Sequence, residues 1–166
     1  MSKREQGFTL IEGMIAAAVL AVGLLALAGM QGLSIGRNVD GNELGRVTSI
    51  ASDMMERVKF NKQNALAYHN LTTTTASAWC AGMPAAQLMA RGDCTQWKAL
   101  VDASGLANAV GTVSVVRLDA DPTLNPVTLN QLSVTVSLSW SGNNHAQSSG
   151  IRTKTVMFST VLAPES

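Results

Sequence analysis

A carboxylate, Glu12, stands at the border of a long apolar run, the eighteen residues 13–30, which carry no charge and no polar side chain. An ionised group at membrane depth costs up to about 2.5 to 3.5 kcal/mol, so a carboxylate in this place calls for a cationic partner. Cys80 and Cys94 are the second pair of chemically capable residues. No His, Asp or Glu cluster around them has the spacing of a zinc site, which leaves a disulfide as the leading expectation and two unpaired core thiols as the alternative. A disulfide implies an oxidising compartment, and closing a loop of about 15 residues contributes roughly 3 kcal/mol. His69 and His145 lie in polar, loop-like contexts, and neither forms a Ser-His-Asp or Cys-His constellation, so no catalytic residue is assigned and no enzyme is expected. Asp119, Asp121 and Asn125 approach the spacing of a calcium loop, but Pro122 interrupts them and no glutamate closes the set. Neither a metal nor a cofactor is expected.

The elements that must position these residues begin with the apolar run. As a helix it rises about 27 Å, close to the hydrocarbon thickness of about 30 Å, so it can span a bilayer. Lys3 and Arg4 precede it and hold that end in the cytoplasm, which sends the chain beyond Ile35 to the side where Cys80 and Cys94 can oxidise. An ordinary signal peptide is the competing reading, because Ala26-Leu27-Ala28 before Gly29 is an acceptable cleavage site, but it has no use for Glu12. Gly23, Gly29, Gly32, Gly36, Gly41 and Gly45 punctuate this helix, either for close helix packing or as points of local melting. At 166 residues the chain has room for one domain and an appended segment. Its twelve Lys and Arg are scattered and its net charge is +1, so no basic stripe marks a nucleic-acid partner.

Gly7-Phe8-Thr9-Leu10-Ile11-Glu12, after a short charged leader and before the apolar helix, resembles the prepilin processing motif. The resemblance implies cleavage after Gly7 by a prepilin peptidase and N-methylation of the new terminal residue, Phe8. Phe8 and Glu12 then lie one helical turn apart, and the new α-amino group, with a reference pKa of about 8, adds its charge to the positive helix end. In type IV pilins the residue in the position of Glu12 is thought to pair with the terminal amine of a neighbouring subunit, setting register in the filament. A helix-capping acid serving its own chain is the alternative.

Beyond Arg37, Leu44, Val47, Ala51, Met54 and Val58 recur at steps of three and four, the mark of an amphipathic helix expected to run to about Asn64. Asp53 with Arg57 and Glu43 with Arg46 have ion-pair spacing on its other, solvated face. The stretch Ser52-Asp53-Met54-Met55-Glu56-Arg57-Val58, with Asn61 and residues 65–68, resembles PilV-type minor pilins, the type IV pilus modification family. Residues 70–111 read as linker-like, with short helices at 85–90 and 96–103 and a surface loop or edge strand at 72–75. Leu132, Val134, Val136, Leu138 and Trp140 alternate with Ser and Thr as a half-buried strand should; 112–118 and 153–162 read as further strands, with a turn-rich connection over 141–150.

These elements give an α+β fold class: a type IV pilin-like fold with a long N-terminal helix, membrane-spanning in its first half and amphipathic in its second, packed on a small antiparallel sheet. The expected organisation is a cleaved leader at 1–7, a transmembrane and filament-core helix at 8–36 and a periplasmic head at 37–166. By resemblance the partners are other major and minor pilins through the helix, the prepilin peptidase, the inner-membrane assembly platform and membrane lipid. A minor pilin that primes pilus assembly is the leading function, with a type II secretion pseudopilin, or a secreted domain behind a signal peptide, as alternatives. Major pilins usually pin a C-terminal loop with their disulfide, whereas Cys80 and Cys94 precede the sheet.

Overall fold

The computed structural model describes residues 9–74, 80, 82, 84, 87–121, 123–124, 130–143 and 151–163. Gly7 and Phe8, His145, Asn125 and most of the 141–150 connection lie outside these residues. The chain divides into two compact units, one up to Val39 and one from Asp40 on. Helix α1, Leu10–Phe60, contributes to both. It continues through Gly23, Gly29, Gly32, Gly36, Gly41 and Gly45 without a break, so local melting at those glycines is not what the structure adopts.

The α-helix stops at Phe60, short of Asn64, and a 3-10 helix at Lys62–Tyr68 takes over with non-helical geometry at Asn64. Asn61 and Asn64, weak helix formers, stand at the ending, where the Asn61 amide donates to the Tyr68 hydroxyl and the Asn64 amide to Asn61 Oδ1, each at 3.1 Å, and Asn70 at the far end of the 3-10 turn takes the left-handed region with φ 61°. Strand β1, Leu71–Thr72, comes immediately after. Helix α2, Leu88–Asp102, then runs within the stretch expected to be linker-like, as one fifteen-residue helix. Its buried residues Ala90, Cys94, Trp97 and Val101 step by four, three and four, a helical stripe hidden in the sequence by the small and polar residues between them.

Strands β2, Ala107–Arg117, β3, Leu132–Asn143, and β4, Ile151–Leu162, complete an antiparallel sheet of order β1-β2-β3-β4. The β3–β4 register is continuous from Leu132 opposite Leu162 to Asn143 opposite Ile151. Leu132, Val134, Val136, Leu138 and Trp140 all point into the core, as their alternation requires. They share it with Val47, Ala51, Met54 and Val58 of α1 and with the buried face of α2. Leu44, placed on the same apolar stripe by spacing, is half exposed. Gly111 is where α2 meets the sheet: a Cβ there would overlap the Trp97 ring, with ring carbons Cζ2 and Cζ3 at 2.8 Å. Trp97 in turn donates its indole N–H to the carbonyl of Ile50 on α1 at 3.0 Å, fixing three layers through one side chain.

Candidate functional site

Among the described residues of the first unit, the large apolar side chains of the helix are exposed. Leu10 is 83% exposed and Leu25 74%, and from residue 13 to residue 36 the side chains carry no charge. That length rises about 36 Å, enough for a bilayer's hydrocarbon core. α1 is long and apolar enough to cross a membrane, and the span lies near the N-terminus.

At the start of α1 the Thr9 carbonyl accepts from the Glu12 N–H at 3.1 Å and the Gly13 N–H at 3.2 Å, so Thr9 sits at the N-cap. The Thr9 hydroxyl also accepts from the Glu12 N–H and donates to Glu12 Oε2, each at 3.4 Å. The arrangement is a capping box in outline, with Ser/Thr at the cap and Glu three residues on. Both side-chain bonds are at the long limit and in the open, so they hold Glu12 weakly. The carboxylate thus stands exposed at the positive end of a helix dipole, where negative charge is favoured. Glu12 as a cap for its own helix is realised in this structure, and its second oxygen, Oε1, has no partner among the described residues.

Residues 2–28 match the family model described as the prokaryotic N-terminal methylation motif. The chain carries a prepilin-type N-terminus. No curated protein and no solved structure matches the chain. A motif of this kind implies processing by a prepilin peptidase and assembly with other pilins or pseudopilins, and the apolar helix fits an inner-membrane anchor. The matched residues end before the head begins.

The head's polar side chains form internal braces. Cys80 and Cys94 are joined in a disulfide with Cα atoms 5.8 Å apart, tying α2 to the chain ahead of it. One residue before Cys94, Asp93 accepts from Arg57 at 3.0 Å and from the Tyr68 hydroxyl at 2.6 Å, while Arg57 also reaches Asp53 at 2.7 Å. Asp53–Arg57 is therefore the expected ion pair, but it faces α2. Burial, and then the hydrogen bond given to Asp93, push the Tyr68 phenol well above its ordinary range. Glu43 and Arg46 do not pair. Glu43 accepts from the Trp140 indole at 3.0 Å and from Lys154 at 3.2 Å, and Arg46 donates to the Ser104 carbonyl at 3.0 Å. Partners on the sheet and on the loop after α2 outcompete the i,i+3 spacing.

Lys154 is the brace that a strand pattern alone does not show. It also binds Asp40 at 2.8 Å, and its stem passes over Gly142, where a Cβ would meet its Cε at 2.6 Å. The signal is present in parity: Lys154 shares its strand face with Val156 and Phe158, and an inward lysine needs an acid. His69 is exposed, yet its Nδ1 accepts from the Val115 backbone N–H at 3.2 Å. Asp121 accepts from the Thr123 N–H and hydroxyl within a turn, and Asp119 accepts from the Gln131 N–H, twelve residues on, just ahead of β3. Among the described residues no group of three His, Cys, Asp or Glu could hold a metal ion. The groove lined by Gly41, Gly45, Arg46, Ser49 and Ser104 brings together no nucleophile and base.

Proposed function

We propose that this chain is a minor pilin of a type IV pilus system, cleaved after Gly7, N-methylated on Phe8 and held in the inner membrane with its N-terminus cytoplasmic and its head periplasmic. The observation that carries the reading is an exposed carboxylate, Glu12, at the N-terminus of an apolar helix that begins inside a prepilin methylation motif. Removal of the leader creates a cationic amine one turn from that carboxylate. In a medium of low dielectric a charge-assisted amine–carboxylate hydrogen bond between subunits is stronger than the long contact Glu12 makes to Thr9. Recruitment of a neighbour therefore exchanges a weak internal cap for a stronger bond. The chain works through this helix, entering the filament at low copy number and helping to start its assembly, with the assembly platform and other pilins as partners.

The resemblance of residues 52–68 to minor pilins supports the pilus over a secretion pseudopilus, and the position of the disulfide ahead of β2–β4 supports a minor rather than a major subunit. The test is a deletion strain complemented with wild type or Glu12→Ala, scored for surface pili, with mass spectrometry of the mature N-terminus and of sheared filaments. The expected outcome is methylated Phe8, membrane insertion of both forms, few copies per filament and loss of piliation with Glu12→Ala. A mature terminus at Gly29, or normal piliation after deletion, would overturn the proposal.

A further inference from the structure

The apolar run of α1 has two borders, marked by opposite charges: Glu12 at one and Arg37 at the other. From Gly13 to Leu33 the helix rises about 30 Å, the hydrocarbon thickness of a bilayer, and only Gln31, within a turn of the far border, is polar. Ser34 is therefore the first residue beyond that depth. Ser34, Arg37 and Asn38 stand three and four residues apart, so they share one face of the helix, and with Met30 and Leu33 they line one shallow groove of about 480 Å³. Apolar side chains floor the half of the groove nearer the hydrocarbon, and three hydrogen-bond donors line the other half. From Ser34 to Asn38 the helix climbs about 6 Å, the depth of one headgroup layer.

Arg37 stands on the side of the span that basic residues usually avoid. Lysine and arginine collect on the cytoplasmic side, where Lys3 and Arg4 already are, whereas Arg37 closes the exported side. No acid lines its groove, and its guanidinium donates to no group among the described residues. An exposed arginine at this depth, carrying five N–H donors, calls for an anion at the same depth. The phosphodiester of a membrane lipid supplies one. The planar guanidinium matches its two free oxygens in a bidentate pair, and the Ser34 hydroxyl and Asn38 amide, a turn or less away, can donate to the same group.

We infer that Ser34, Arg37 and Asn38 form a site for the phosphodiester group of a phospholipid in the exported-side leaflet, with an acyl chain of that lipid lying along Met30 and Leu33. The inference rests on the inner-membrane reading and names the lipid chemistry that meets this helix. Charge and depth together set the ligand: a neutral lipid offers the arginine no anion, and free phosphate offers Met30 and Leu33 no acyl chain. A lipid held in this way fixes how deep α1 sits. It must be released before the helix can leave the bilayer for a filament, so the site retains the chain in the membrane until assembly.

The test compares two lipids with like tails, phosphatidylglycerol and the phosphate-free digalactosyldiacylglycerol. Each is titrated into full-length protein in detergent, and bound lipid is read by native mass spectrometry. Wild type should retain phosphatidylglycerol about tenfold better than the galactolipid, and Arg37→Gln should remove that preference. Ser34→Ala and Asn38→Ala should each weaken it by about two- to fivefold. Lys3 and Arg4 contribute a background common to wild type and variants, and Arg46→Gln, an arginine of the head, should change nothing. Both wild type and Arg37→Gln should float with phosphatidylglycerol vesicles. A preference that survives Arg37→Gln, an equal loss with Arg46→Gln, or displacement of the lipid by inorganic phosphate would overturn the inference while leaving the membrane reading intact. Wild type that fails to float with the vesicles would overturn both.

Discussion

Gly111 carries more of the head's geometry than any residue of its size. The Trp97 ring lies where a side chain at 111 would be, and the indole N–H bridges to α1 from that position. Gly111→Ala should therefore displace Trp97 and lower stability by about 1 to 3 kcal/mol, the usual cost of overpacking a tight core. Thermal unfolding of the purified protein measures the loss. Trp97→Leu should cost stability alone but absorb the alanine, so the double variant should be much less than additive. Additive losses would place the effect of alanine in the strand backbone. Sequence alone places Gly111 at the end of the linker-like stretch 70–111, one residue before a strand pattern, and gives no sign of the ring it accommodates.

At the scale of elements, α2 depends on its staple. The Cys80–Cys94 bond closes a separation of 14 residues, which stabilises by roughly 3 kcal/mol through the entropy of the unfolded chain. Cys80→Ser with Cys94→Ser should lower unfolding stability, read by denaturant titration, by that amount, and reductant should shift wild type but leave the variant where it is. No difference between them would mean that Arg57, Asp93 and Tyr68 hold α2 by themselves. Periodicity decides which elements are legible in the sequence. Strict alternation makes β3 plain over residues 132–140, and the α1 stripe from Val47 to Val58 identifies its core face. α2 shows in the sequence only as two short helical stretches, 85–90 and 96–103, because Gly92, Asp93 and Thr95 interrupt its apolar positions, and the end of α1 is illegible because nothing local distinguishes a 3-10 turn from one more turn of α-helix. At the N-terminus Glu12 is legible from its type and its place beside an apolar run, whereas the head's braces join residues far apart in sequence, such as Asp40 and Lys154, and no local pattern encodes them.

For the whole molecule, the charged braces predict how stability responds to alkali. Tyr68 holds its proton more firmly in the folded head than its ordinary value of 10.0, through burial and the bond to Asp93, and Lys154 is raised in the same sense, chiefly by Asp40. Below about pH 10 both groups are protonated folded and unfolded, and their contribution is complete. Above it the unfolded chain loses protons first, binds fewer than the folded one, and stability falls with rising pH. Chemical denaturation at about pH 8, 9, 10 and 11 should show a plateau and then a decline, made shallower by Tyr68→Phe. A decline already complete by about pH 9 would contradict the assignment. Lys154 also has a mechanical consequence. Asp40 and Glu43 precede Val47, the first hydrophobic core residue of α1, so a tug arriving along the helix from its N-terminal end reaches the lysine clasp before it reaches the core. Load entering there passes through Lys154 and Trp140 into β4 and β3 together, two strands joined along their whole length, instead of prising Val47 and Ala51 loose one at a time. Under tension the lysine acts as a cleat, and a head lacking it would peel from its anchor at a lower force.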